Sequence, residues 1–136
     1  MTMKKKTYSL AYAGKKQRFA RSVVVGNLIF VSGSSGRTME TGEVSSDNVK
    51  DQMTVALDKI RGALEEAGSS MNNMVKAIIF LKRMEDYQVM RDTELEYYSK
   101  YAPSLIDEPP ASTVMQVVSL AKPNMLIEID VIAMKP

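Results

Sequence analysis

The 136-residue chain contains no histidine and no cysteine. These two absences exclude a cysteine nucleophile, a Ser-His triad, a histidine general base and a metal site built from imidazole or thiolate ligands. The sequence also has no apolar run near the roughly 18 to 20 residues of a membrane-spanning helix. We therefore expect no metal, no cofactor and no membrane partner. Any catalysis has to use carboxylates, lysine, arginine, hydroxyls, backbone groups or water.

Composition and charge are those of an ordinary globular protein. Hydrophobic residues make up 45% and charged residues 25% of the chain, and the net charge of +2 is too small to predict a nucleic-acid partner. We expect one domain over residues 1–136, with residues 1–6 as a flexible basic tail. The basic N-terminus lacks the uninterrupted apolar stretch of a signal peptide, which favours a cytoplasmic location.

Strand and helix signals alternate along the chain. Residues 21–33 are typical of a β-hairpin that turns at Gly26-Asn27. A cluster of capping residues at 45–48, followed by apolar residues at helical spacing up to Gly68, predicts a first helix. Its charged residues, Lys59 among them, fall mostly on the side away from the apolar face. A second helix is predicted over residues 85–101. Further strands are predicted at residues 7–13, 74–84, 112–120 and 125–134, and the whole order indicates an α+β or mixed α/β architecture.

The segment at residues 112–120 carries apolar side chains on both faces of its predicted strand. Val114, Val118 and Leu120 fall on one face, and Met115 and Val117 fall on the other. Two helices cover only one face of such a sheet. We therefore expect a second copy of the chain to bury the other face, which predicts a homo-oligomer.

Several motifs then resemble one family in order and spacing. "VGNLIFVSG", "TGEV", "QMTVALDKIRGALEEAGSSMNNMVKAIIFLKRMEDY", "PASTV" and "LIEIDVIA" are collinear over more than a hundred residues. Together they resemble the RidA/YjgF/L-PSP (Rid) family of enamine and imine deaminases. The resemblance implies a chorismate-mutase-like α+β fold, with a mixed sheet and two helices on one face. It also implies a homotrimer with small-metabolite pockets between subunits.

The resemblance also suggests pocket residues. Active deaminases of the family hold the substrate carboxylate with the arginine of a "PAR" motif, and here that position is Ser112. Without the resemblance, Ser112 is a small polar residue that begins a strand after two prolines. Ser32 and Glu128 match catalytic pocket positions, and Glu128 would position water. Further matches to substrate-binding positions are Phe19, where active members often have tyrosine, Val114, where some have cysteine, and Arg91, where the family has asparagine.

A serine hydroxyl does not replace the two charge-assisted hydrogen bonds of an arginine fork. Two arginines are candidates to bind a carboxylate instead. Arg37 lies in the loop "SSGRTMETG", and Arg91 lies on the second predicted helix. Each also has an ordinary interpretation as a solvated surface residue.

These observations leave three functions open. The first is a divergent enamine or imine deaminase, a hydrolase, that acts on a small metabolite between subunits. The second is a non-catalytic ligand-binding or regulatory trimer with the same scaffold. The third is an endoribonuclease of the L-PSP type, which the residues themselves support little because histidine and a basic-aromatic surface are missing.

Overall fold

The computed structural model of the protein describes residues 3–136. Six strands form one mixed sheet, and in spatial order they are β1 (Lys5–Tyr8), β4 (Ser22–Val25), β5 (Leu28–Ser35), β8 (Ile127–Met134), β6 (Met74–Leu81) and β7 (Ala111–Gln116). All neighbours pair antiparallel except β6 and β7, which are parallel. A separate small hairpin joins β2 (Ala11–Tyr12) to β3 (Lys15–Lys16).

Two long helices lie on one face of this sheet, as the sequence predicted. Helix α1 (Val49–Glu66) packs on β5 and β8, and helix α2 (Tyr87–Tyr101) packs beside α1. The Asn48 side chain caps α1 by accepting a hydrogen bond of 2.9 Å from the backbone N–H of Asp51. A third helix, α3 (Ser104–Asp107), is a single turn that sequence patterns did not predict. No helix within the described part of the chain is long and apolar enough to cross a membrane.

The two faces of the sheet differ sharply in character. Strand β8 alternates strictly, because every second residue from Ile127 to Ala133 is buried against the helices. The opposite face, which we call the open face, is not covered by any helix of residues 3–136. It carries exposed apolar side chains on β5, β7 and β8: Leu28, Phe30, Met115 and Met134.

One predicted strand proves too long. The segment expected as a strand over residues 112–120 forms β7 only as far as Gln116, and Val118 is fully exposed. Its partner strand β6 ends at Leu81, whose carbonyl accepts the last ladder bond from the Val117 N–H. Beyond that point the chain has no strand to pair with, so the expectation of a two-faced strand reaching Leu120 was wrong.

The N-terminal expectations also need correction. Lys5 and Lys6, assigned to a flexible tail over residues 1–6, form part of strand β1 and pair with Val25 and Val24. Residues 1 and 2 lie outside the described part of the chain. The strand expected over residues 7–13 is divided between β1 and β2, because the chain leaves the main sheet after Tyr8 and turns into the small hairpin.

Candidate functional site

A cleft of about 340 Å³ opens on the sheet where β5 and β8 diverge. Its walls come from the small hairpin, the segment before β4, strands β5 and β8, the loop after β5 and the segment before β8. The lining residues are Tyr12, Phe19, Ser32, Gly33, Ser35, Arg37, Ala121, Met125, Glu128 and Asp130. The volume suits a small metabolite rather than a polymer.

Four residues predicted from the sequence meet in this cleft: Phe19, Ser32, Arg37 and Glu128. The other three do not reach it within one chain. Ser112 and Val114 lie on the edge strand β7, where they pair with Ala77 and Ile79 of β6.

Arg91 lies on helix α2 and has partners there. Its guanidinium donates hydrogen bonds to the Tyr87 hydroxyl at 3.1 Å and to the Glu94 carboxylate at 2.9 Å. A carboxylate already neutralises Arg91, which leaves Arg37 as the better candidate for binding an anion.

The carboxylates of Glu128 and Asp130, both on β8, lie in the cleft next to Gly33 of β5. Between Val31 and Ser34 the pairing of β5 with β8 shifts register, a bulge that bends the strand next to the cleft. A Cβ atom built at Gly33 would lie 3.0 Å from the Asp130 carboxylate oxygen and 3.0 Å from the Glu128 carboxyl carbon. Both side chains therefore occupy the space that any larger residue at position 33 would need.

Burial makes both carboxyl groups weaker acids, and the charge of Asp130 adds to the effect at Glu128. The pKa of Glu128 is raised, first by burial and second by the negative charge of Asp130, while Lys59 and Arg37 oppose the rise. Burial also raises the pKa of Asp130. A carboxyl group in this situation exchanges protons closer to neutral pH than an exposed one does, which suits general acid-base chemistry.

Arg37 is held against an aromatic ring. Its Cζ atom lies 4.1 Å from the centre of the Tyr12 ring, and its Nε donates a 2.7 Å hydrogen bond to the Gly42 carbonyl. Among residues 3–136 no carboxylate lies within ion-pairing distance of this guanidinium. The Arg37 charge is therefore fixed in place beside the cleft but not neutralised.

Backbone turns bring Tyr12 to this position. The small hairpin turns through Ala13 and Gly14, both with positive φ, at 51° and 77°. The Ala13 N–H then bonds the Met39 carbonyl at 2.9 Å, which ties the hairpin to the loop that carries Arg37.

Ser32 is engaged with the backbone. Its hydroxyl donates a 2.5 Å hydrogen bond to the Ala20 carbonyl, and its N–H bonds the Arg21 carbonyl at 3.1 Å. These bonds attach the segment with Phe19 to β5 and so form one wall of the cleft. With its proton committed, the Ser32 hydroxyl can only accept a hydrogen bond from water or a ligand.

Gln52 of helix α1 fixes the wall that leads into β8. This buried amide donates to the carbonyls of Ser46 and Asn124 at 2.9 Å, and its oxygen accepts from the Leu126 N–H at 2.8 Å. Because Asn124 and Leu126 flank Met125, these bonds fix the segment that carries Met125 into the cleft lining. Gly36 permits the approach, because a Cβ there would lie 2.6 Å from the Gln52 side chain.

Sequence reasoning missed three ionisable residues in or beside the cleft: Tyr12 and Asp130, which line it, and Lys59, which contacts Tyr12. Lys59 was assigned to the solvent side of helix α1, yet its ammonium donates a 3.0 Å hydrogen bond to the Tyr12 hydroxyl. Asp130 carried a signal that could have found it, since it follows Glu128 at strand spacing and so shares its face. Within residues 3–136 no group of three or more acidic side chains is arranged to hold a metal ion.

Comparison with known proteins agrees with the family resemblance of the sequence motifs and extends over nearly the whole chain. Residues 12–135 match the family model described as Endoribonuclease L-PSP. A RutC family protein of Pyrococcus abyssi is 34% identical over 117 residues, which cover 86% of each chain. A 2-iminobutanoate/2-iminopropanoate deaminase of Escherichia coli is 29% identical over 117 residues, 86% of this chain and 87% of that protein.

A solved structure agrees in fold. The crystal structure of the Escherichia coli YjgF gene product superposes with a TM-score of 0.84 at 28% identity, covering 96% of this chain and 99% of that one. The mixed sheet with helices on one face is thus the architecture that these relatives share.

Proposed function

Because the chain belongs to the RidA/YjgF/L-PSP (Rid) family, we propose that its cleft binds a small imine or enamine with a carboxylate group and hydrolyses the C=N bond. One observation carries this proposal. Arg37, which has no carboxylate partner among residues 3–136, and two carboxyl groups of raised pKa, Glu128 and Asp130, line the same cleft. The name of the Escherichia coli relative, an imine deaminase, fits this combination of an anion-binding group with acid-base groups.

In this proposal Arg37 binds the substrate carboxylate, the role of the family arginine whose position is taken here by Ser112. The Arg37 Nε is occupied by Gly42, which leaves the two terminal nitrogens to donate to a substrate carboxylate. The Tyr12 ring holds the guanidinium flat and so lowers the entropy lost when a ligand binds.

Glu128 would carry the proton transfers. Its ionised form takes a proton from water as the oxygen bonds to the imine carbon, giving a carbinolamine. The resulting carboxylic acid returns that proton to the nitrogen. Glu128 then transfers the hydroxyl proton to the nitrogen as the C–N bond breaks, so that ammonia leaves and a 2-oxo acid remains. Asp130 assists by keeping the pKa of Glu128 raised, so that both forms of Glu128 are accessible.

The proposal includes a homotrimer. The open face exposes Leu28 and Phe30 at 41% and 42%, and Met134 at 48%, a group of apolar side chains that a second chain could cover. No strand of the described residues pairs with the outer edge of β7, so a second copy can cover both this edge and the open face. In such an assembly Ser112 and Val114 of one subunit would complete the cleft of its neighbour.

Two other functions predict different results. A purely ligand-binding trimer would bind the same carboxylates without turnover. RNA cleavage, which the family name suggests, finds less support in the cleft, because a volume of about 340 Å³ suits a small metabolite rather than a polymer.

A turnover assay tests the deaminase proposal. An amino-acid oxidase would generate 2-imino acids from alanine, 2-aminobutyrate and leucine, and 2-oxo acid formation would be followed with and without the protein. We expect acceleration over buffer, and a loss of at least roughly 100-fold in kcat/KM for Glu128→Gln, the scale of one acid-base group.

The matched variants are Arg37→Gln and Arg61→Gln, which remove the same charge inside and outside the cleft. Arg61 bonds Tyr97 between the helices, so its replacement leaves the cleft unchanged. Binding of 2-oxobutanoate without turnover would favour the ligand-binding trimer. Absence of turnover together with cleavage of RNA that Glu128→Gln abolishes would favour the nuclease.

A further inference from the structure

Lys59 is a lysine in an unusual place. It lies on helix α1, half-buried, on the side that faces the small hairpin, and its ammonium lies 3.0 Å from the Tyr12 hydroxyl and 5.2 Å from the ring centre. Like Arg37, it has no carboxylate within ion-pairing distance among residues 3–136. Two cations without ion-pair partners therefore flank one tyrosine.

A structural role alone explains this arrangement poorly. Burying part of an ammonium group is unfavourable unless an opposite charge or several hydrogen bonds compensate. Here the ammonium has one hydrogen bond, to a neutral hydroxyl, and Glu128 acts on it only from beyond ion-pairing distance. An uncharged side chain would fill the same space without that penalty. The charge itself is thus the property that calls for an explanation.

The contacts connect Lys59 to the cleft in two steps. Its ammonium fixes the hydroxyl end of Tyr12, and the ring of Tyr12 lies 4.1 Å from the Cζ atom of Arg37. Any shift of the phenol ring moves the surface on which the guanidinium rests. The Arg37 Nε bond to Gly42 restrains the other side of the same group.

We propose that Lys59 is a positioning residue for the cleft, which holds the Tyr12 ring under Arg37 and adds its own charge to the field that attracts a carboxylate. This inference rests on the proposed function, because it assumes that the cleft binds a carboxylate at Arg37. It makes the charge of Lys59, rather than its bulk, the determinant of anion affinity.

The groups around Lys59 make its charge adjustable near physiological pH. Burial lowers the pKa of Lys59 to about 8, and the charges of Arg37 and Arg21 lower it too, while Glu128 opposes them. Burial raises the pKa of Tyr12 above its ordinary value of 10.0, so Tyr12 stays neutral over the interval in which Lys59 loses its charge.

Thermodynamic linkage sets the direction in which carboxylate affinity changes with pH. A carboxylate bound near Lys59 favours its protonated form, so Lys59 deprotonation must weaken carboxylate binding by the same factor. Affinity should fall as the pH rises through about 8. A neutral ligand of the same shape should show no such dependence.

Calorimetric titration of the full-length protein tests this with 2-oxobutanoate, the stable ketone counterpart of the imine, and with uncharged 2-oxobutanamide. We expect the affinity of the wild type for the carboxylate to drop roughly two- to fivefold from about pH 7 to about pH 9.5, the effect of one partly screened charge. Lys59→Arg should keep the affinity at both values. Lys59→Met should bind weakly at both, and the amide should be unaffected throughout.

The outcomes separate the inference from its premise. An unchanged pH dependence in Lys59→Met overturns the inference and leaves the anion site intact. Failure of the wild type to bind 2-oxobutanoate at either pH overturns both. Tyr12→Phe, which keeps the ring and the Lys59 charge, provides a second test: carboxylate affinity at about pH 7 equal to that of the wild type would show that Lys59 does not act through the hydroxyl.

Discussion

Arg37 rests on Tyr12, with the guanidinium carbon 4.1 Å from the centre of the ring. Stacking of this kind contributes about 0.5 to 2 kcal/mol and, more importantly, fixes the plane of the donors. The arrangement depends on geometry that lysine cannot reproduce, because an ammonium has no plane to stack and no fork to offer.

Replacing Arg37 by lysine should therefore separate charge from geometry. We expect KM for a 2-imino acid to rise roughly tenfold, with a smaller change in kcat. A tenfold change corresponds to about 1.4 kcal/mol, which is part of the free energy that a bidentate arginine–carboxylate pair contributes. Steady-state kinetics against imines of alanine and 2-aminobutyrate would measure this. An Arg37→Lys enzyme with wild-type KM would mean that only the charge at position 37 matters.

Removing the charge of Asp130 should shift the pH profile in a defined direction. Asp130 raises the pKa of Glu128, so Asp130→Asn lowers that pKa and keeps Glu128 ionised at lower pH. If ionised Glu128 takes a proton from water, the acid limb of kcat/KM moves to lower pH. Asp107→Asn, on the exposed turn α3, is the control and should leave the limb in place. A shift to higher pH would contradict the assigned roles.

A methyl group at position 33 should collide with both carboxylates. We expect Gly33→Ala to lose about 1 to 3 kcal/mol of unfolding free energy, as overpacked sites do, and to lose activity because Glu128 and Asp130 are displaced. Urea unfolding measures the first effect. In a background with Asp130→Ala the penalty should shrink, and a penalty that stays the same would place the strain elsewhere.

Charging the open face should break the assembly. Light scattering should give the wild type a mass three times the 15.1 kDa of one chain, and Phe30→Lys should give a smaller species. Leu95→Lys is the matched control, because Leu95 is 56% exposed but lies on helix α2, away from the open face. A monomeric wild type would exclude the trimer, and a trimeric Phe30→Lys would move the interface away from Phe30.

Much of the fold follows from local sequence patterns. The apolar spacing and the Asn48 cap predicted helix α1 closely, and the alternation of Ile127, Ile129 and Val131 predicted β8. Helix α1 and strand β8 could be predicted because their buried residues follow the helical or strand spacing along their whole length. Strand β7 was extended too far because its end depends on where β6 stops at Leu81, which no feature within residues 112–120 reveals.

The site was harder to predict, for a related reason. Glu128 and Ser32 came from family resemblance, and Arg37 came from its place in a loop. Lys59 looked like a solvent-exposed helix residue because the sequence does not show that the hairpin with Tyr12 folds over that side of α1. A long-range contact between residues 47 positions apart leaves no trace in local periodicity.

The pair of unneutralised cations at Arg37 and Lys59 has a practical consequence for finding the natural ligand. Their proximity exists only in the folded chain, so an anion that fits between them binds the native state and not the unfolded one. Such binding raises the melting temperature in proportion to the logarithm of ligand concentration over Kd. A thermal-shift screen would therefore rank small carboxylates by the rise in melting temperature that each causes, before any reaction is known.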